Sequence, residues 1–162
     1  MRWSIERIAA ALSRGAPLSA DTHQFESLFN MEIPMSGPAR TGVLIYAKNL
    51  SSVSAFYEQV LSAEVLHADD EHRVLQAPDV QLIIHAIPEQ YSRSIVIEEP
   101  PVAREGQAIK PFFTVESLVA AERIAEQCGG RVWGPVWPGP GMQVRNVCDP
   151  EGNIVHLPEH VA

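Results

Sequence analysis

"DPEGNIVHLPEH", residues 149–160, decides how the rest of the chain is read. Asp149, Pro150, Gly152 and Asn153 are turn formers, and they lead at once into residues that alternate in the manner of a strand. The run is therefore the turn and second strand of a hairpin, with "GMQVRNVC" (141–148) as the first strand. His156 sits in mid-strand, a titratable ring where alternation asks for a reason.

Working back from the hairpin, "GRVWGPV" (130–136) reads as one more strand, and "ESLVAAERIAEQCGG" (116–130) as an amphipathic helix. Its inward face is Leu118, Ala121, Ile124, Ala125 and Cys128, and Gly129 and Gly130 end it. "KPFFTV" (110–115) precedes it as a strand. The same order occurs earlier in the chain. "TGVLIYAK" (41–48) is a strand, and "NLSSVSAFYEQVLSA" (49–63) is a helix with Val53, Phe56, Tyr57, Val60 and Leu61 inward, capped by Asn49, Ser51 or Ser52. "AEVLHAD", "HRVLQAP" and "VQLIIHAIP" then form a meander. Leu50 and Leu118 open their helices 68 residues apart, and His85 and His156 lie 71 apart, so the chain is an architectural repeat with low local identity.

The fold class is α+β: two βαβββ modules forming a curved, mostly antiparallel open barrel, with an N-terminal helical extension. Module one covers residues 41–88, a linker 89–107 with a short strand at "SIVIEE", and module two 108–160, within a single domain 39–162. Residues 1–38 form an arm of two short helices, with Met31 and Met35 as alternative later starts.

Composition narrows the function. A formal net charge of −8 argues against nucleic acid as a partner. No apolar run reaches the ~18 residues of a membrane span, and the N-terminus lacks the apolar core of a secretory signal, so the expected location is cytoplasmic. Cys128 and Cys148 lack CxxC spacing and are expected to be buried free thiols.

"LSSVSAFYEQVL" and "CDPEGNIVHL" resemble the first helix and last hairpin of the vicinal oxygen chelate superfamily, which comprises glyoxalase I, bleomycin-resistance proteins and extradiol dioxygenases; the resemblance covers about residues 41–159. It implies a concave cleft between modules. In metal-dependent members the first and last strands of each module each give one ligand, and those positions here are Gly42, His85, Lys110 and His156. Glycine has no donor and lysine must first lose its proton, so half of the ligand set is missing. The resemblance thus implies a cleft without resident metal; if a divalent Fe, Mn, Ni or Zn is held, His85 and His156 are its ligands.

Alternation through those positions gives the lining. Leu44, Tyr46, Ile83, Phe112, Thr114 and Ile154 join His85, His156 and Lys110, with Trp137 and Met142 of "PVWPGPGMQV" over the mouth. Lys110 suits a carboxylate, phosphate or enolate oxygen. Trp133 is expected in the core, and Arg145 could face either way. Three functions follow from the resemblance: a binding protein that traps a small apolar or planar molecule; an enzyme, with His85 or His156 as base and Lys110 holding an enolate, or a metal-dependent lyase, isomerase or dioxygenase; and a degenerate module that serves assembly alone. The expected state is a homodimer.

Overall fold

The computed structural model describes residues 41–161; the N-terminal arm expected over 1–38 lies outside them. Helix α1 (Leu50–Val60) follows β1 (Gly42–Ala47) and leads to β2 (Glu64–Ala68), β3 (His72–Gln76) and β4 (Gln81–Ala86). After a single helical turn, α2 (Glu89–Ser92), and an extended linker come α3 (Leu118–Gln127), β5 (Arg131–Gly139), β6 (Met142–Cys148) and β7 (Ile154–His160).

The strands form two open sheets, ordered β1-β4-β3-β2 and β5-β6-β7. The first contains one parallel pair, β1 with β4, because α1 is the crossover between β1 and the meander. All other ladder pairs among the described residues are antiparallel. Each sheet buries one face against a helix. Val53, Phe56, Tyr57 and Val60 of α1 meet Leu75, Leu82 and Ile84, while Leu118, Ala121 and Ala125 of α3 meet Val147, Val155 and Leu157, all in one continuous core. A fully buried Phe56 or Tyr57 contributes about 2–3 kcal/mol by transfer from water.

Both helices begin on paired caps. Asn49 Oδ1 accepts the N–H of Ser52 at 3.1 Å, and Ser117 Oγ accepts that of Ala120 at 3.3 Å. A carboxylate from the end of the chain adds a second bond at each start: Glu151 Oε1 takes the Asn49 N–H at 2.7 Å and Glu159 Oε2 the Leu118 N–H at 3.1 Å. Helix α3 stops at Cys128, followed by Gly129 at φ +80°, a conformation that suits glycine.

The Asp149 turn is held by one carboxylate. Asp149 Oδ1 accepts the N–H groups of Glu151 and Asn153, each at 2.9 Å; Oδ2 accepts Asn153 Nδ2–H at 2.8 Å and the Tyr57 hydroxyl at 3.2 Å. Gly152 is required twice over. Its φ is +85°, and a Cβ there would lie 2.2 Å from the Val102 carbonyl oxygen, because the linker runs against the turn with Arg104 N–H bonded to the Gly152 carbonyl.

Two expected strands differ. "SIVIEE" forms no strand with the described residues. "KPFFTV" keeps the course of a strand beside β7 but is reduced to one parallel bridge, Phe112 with His156. The bonds that survive are His156 N–H to Pro111 O, Phe113 N–H to His156 O and Val115 N–H to Pro158 O. The next donation would come from residue 158, which is proline and has no N–H to give.

Candidate functional site

The faces opposite the helices carry the residues singled out by alternation. On β1, Val43 and Ile45 turn to the core while Leu44 and Tyr46 are 53% and 58% exposed. On β4, Leu82 and Ile84 are core, leaving Ile83 and His85 on the free face. In module two, Phe112 is 69% exposed, Thr114 is exposed and Lys110 and Met142 are half-buried. Ile154 shares the face by alternation yet is fully buried, with its N–H donated to Gln107 Oε1, so it is a floor beneath the lining rather than a contact surface.

Cross-strand partners share a face, and one rung of the first sheet brings Tyr46, His85 and His72 side by side. The His85 ring centroid lies 5.4 Å from Tyr46 and 4.2 Å from His72, edge to face with the latter. His85 Nδ1 is 2.8 Å from the Ala86 carbonyl oxygen. Because that oxygen can only accept, Nδ1 carries a proton, and in the neutral tautomer the lone pair is on Nε2. Asp69 closes the rung. Its carboxylate accepts from His67 Nε2 at 2.8 Å and from the N–H groups of Glu71 and His72, and these bonds, that of His67 foremost, hold its pKa well below the usual carboxylate value.

A matching rung crosses the second sheet: Phe112, His156, Asn146 and Trp133 are successive partners. Burial, and then the charge of Lys110, push the His156 pKa below the usual histidine value, favouring the neutral ring. Arg145 settles on the other face, where Nε lies 2.8 Å from Glu122 Oε1 on α3 and Nη1–H donates to the Gly134 carbonyl at 2.8 Å. That fixes Asn146 and Val144 on the free face. Between Trp133 and Val136 the register shifts; the bulge contains Gly134 at φ +76° and Pro135 and adds two residues. Two extra residues preserve parity, so Trp137, opposite Val144, joins Trp133 on that face. Trp133 is thus half-buried on the free face and no part of the core, contrary to the sequence expectation.

The resemblance pointed to His85 and His156, and alternation from those positions to Leu44, Tyr46, Ile83 and Phe112, all of which lie on the free faces; the middle-strand residues that share those faces, His72 and Asn146, were not reached. Each is the direct partner of a histidine already found, so hairpin register was the signal that would have reached them.

The residues at the four positions that the resemblance matched to metal ligands do not by themselves make a metal-binding set. Gly42 offers no donor, although a Cβ there would meet only the Gln81 carbonyl oxygen at 3.4 Å, an ordinary contact. Lys110 brings a cation, and among the described residues no group of three or more His, Cys, Asp or Glu side chains is arranged to hold a metal ion. An open cleft of about 890 Å³ lies elsewhere, at the helix ends, among Lys48, Asn49, Glu99, Glu126, Gly130 and Glu151. Among the described residues no helix is long and apolar enough to cross a membrane.

No family model and no curated protein matches the sequence. Solved structures do. A glyoxalase/bleomycin resistance protein from Albidiferax ferrireducens superposes with a TM-score of 0.56 at 15% identity, over 75% of this chain and 98% of that one. A glyoxalase/bleomycin resistance protein/dioxygenase family enzyme from Burkholderia phytofirmans gives 0.56 at 17%, over 75% and 98%. A bleomycin-binding protein complexed with bleomycin gives 0.50 at 17%, over 76% and 100%. The chain has the fold of the vicinal oxygen chelate superfamily. At this identity the likeness establishes the architecture alone, and function must be argued from the site.

Proposed function

We propose that the protein binds a small organic molecule on its helix-free faces, without a resident metal ion, by stacking a planar or apolar body on aromatic side chains and pairing an acidic or enolic oxygen with Lys110. The observation that carries this reading is the exposure of Phe112, Tyr46 and Leu44 on the faces that also bear Lys110 and both histidines. Large apolar side chains left in water beside polar groups are what a ligand-binding face offers. The solved relative with bleomycin bound offers a precedent for such use of the fold.

The same reading includes a homodimer. Two open sheets with accessible apolar faces form half of an enclosure, and a second copy supplies the other half. It also includes the cytoplasm, in keeping with Cys128 and Cys148, both free, whose thiols burial holds protonated. A metal-free enzyme is the second reading, and one observation favours it: the hydrogen bond from His85 Nδ1–H leaves Nε2 as a base beside Tyr46 and His72. A role in assembly alone is the outcome if neither binding nor turnover is found.

The test is elemental analysis of protein purified without chelator, together with a screen of aromatic acids read by tryptophan quenching for wild type, Lys110→Met and His85→Ala/His156→Ala. Binding that weakens with Lys110→Met, and metal at trace level in both wild type and the double variant, is expected. Stoichiometric metal that disappears in the double variant would overturn the metal-free reading.

A further inference from the structure

Asn146 is 3% exposed, and its Oδ1 is buried without a hydrogen-bond partner among the described residues. A buried acceptor left unmatched costs free energy, and native proteins retain few of them. This one stands at the centre of the second sheet's rung, between His156 and Trp133, on the face where Phe112 and Trp137 are accessible. Valine or leucine would satisfy packing at such a place with no polar atom to satisfy.

We infer that the ligand carries a hydroxyl or N–H donor in addition to its acidic oxygen, and that Asn146 Oδ1 receives it. The inference rests on the proposed binding reading and adds the ligand's chemical class to it: hydroxy or amino acids with a planar or apolar body. Lys110, a cation without an acceptor, selects the acidic oxygen, and the Asn146 carbonyl, an acceptor, selects the donor. The two are separated by the His156 position in the pairing order Phe112, His156, Asn146, with Lys110 two residues before Phe112 on the same strand course. A ligand spanning them lies across the His156 ring. Because Oδ1 is buried, access requires motion of the groups that cover it, on the scale of a side-chain rotamer change. A site that matches a donor rejects the analogue lacking it, because the carbonyl is then again unpaired.

The experiment titrates the full-length protein with mandelate, phenylacetate and the O-methyl ether of mandelate, read by tryptophan fluorescence, for wild type, Asn146→Leu and Lys110→Met. In wild type mandelate is expected to bind about tenfold more tightly than either analogue, the size of one hydrogen bond plus the relief of an unpaired group. In Asn146→Leu that advantage is expected to shrink to about twofold or less, with phenylacetate unchanged and thermal stability equal to or above wild type. Asn146→Val replaces it should the leucine variant fail to fold. Equal binding of all three acids to wild type, or a mandelate preference that survives in Asn146→Leu, overturns the inference while leaving the binding reading intact if Lys110→Met weakens them all. The ether binding as well as mandelate would assign the site an acceptor on the ligand and also overturn it. Binding of none of the three to wild type sinks both this inference and the reading beneath it.

Discussion

Replacing Asp149 by alanine removes one carboxylate and strands four donors: the N–H groups of Glu151 and Asn153, the Asn153 side-chain amide and the Tyr57 hydroxyl. Burial raises the Asp149 pKa despite these bonds, and burial first, then Asp149 itself, raises that of Tyr57, so the phenol remains a donor. At about 1 kcal/mol for each stranded donor the loss is about 4 kcal/mol, and relief of the buried charge returns roughly 1, leaving about 3 kcal/mol. Tyr57→Phe removes one bond and is expected to cost about 1 kcal/mol. Urea unfolding at neutral pH, followed by fluorescence, measures both, and the double variant completes a cycle with a coupling near 1 kcal/mol. An Asp149→Ala protein within about 1 kcal/mol of wild type at unchanged m-value, or strictly additive single effects, would refute this account of the turn.

Other outcomes follow from the same geometry. His156 has a lowered folded pKa, so folding favours its neutral ring; the stabilisation is complete above the unfolded value of 6.5 and is lost as pH falls through the depressed folded value. Urea midpoints measured from neutral pH downward should therefore fall less steeply for His156→Gln than for wild type, and an NMR titration of Lys110→Met should show the His156 pKa rising; an unmoved value would remove Lys110 from its surroundings. Gly152→Ala meets both a positive φ and a backbone oxygen 2.2 Å from the new Cβ. It is expected to destabilise by roughly 2–4 kcal/mol, whereas Gly42→Ala, with only a 3.4 Å contact, should stay within about 1 kcal/mol of wild type; equal effects in chemical denaturation would contradict the close approach of the linker.

The sequence carried the architecture further than the site. Helical spacing identified the buried faces of α1 and α3, and the turn residues around Asp149 located β6 and β7, because these signals are local. Register is not local. Aligned on the helix starts 68 residues apart, Tyr46 corresponds to Thr114 and Leu44 to Phe112, yet His85 stands opposite Tyr46 while His156 stands opposite Phe112. The two histidines are therefore one strand repeat out of step, which their spacing in the chain does not reveal. Trp133 was assigned to the core because nothing short of the pairing displays a two-residue bulge at Gly134 and Pro135 that keeps both tryptophans on one face. Asn146 was hidden by Arg145: two adjacent polar residues give alternation no side to choose, and the ion pair with Glu122 made the choice.

The bond from Asn49 N–H to Glu151 joins residues 102 apart in sequence, and Tyr57 waits on Asp149 across 92. During synthesis at about 5–20 residues per second, α1 is complete for roughly 5–20 s before the groups that finish its start and satisfy its buried phenol have been made. The first module is then a sheet and helix with unpaired polar groups and an uncovered apolar side, so the half made first depends for its completion on the half made last. Forming these two bonds closes long loops and costs chain entropy, so the C-terminal hairpin must be in place before the start of α1 is complete.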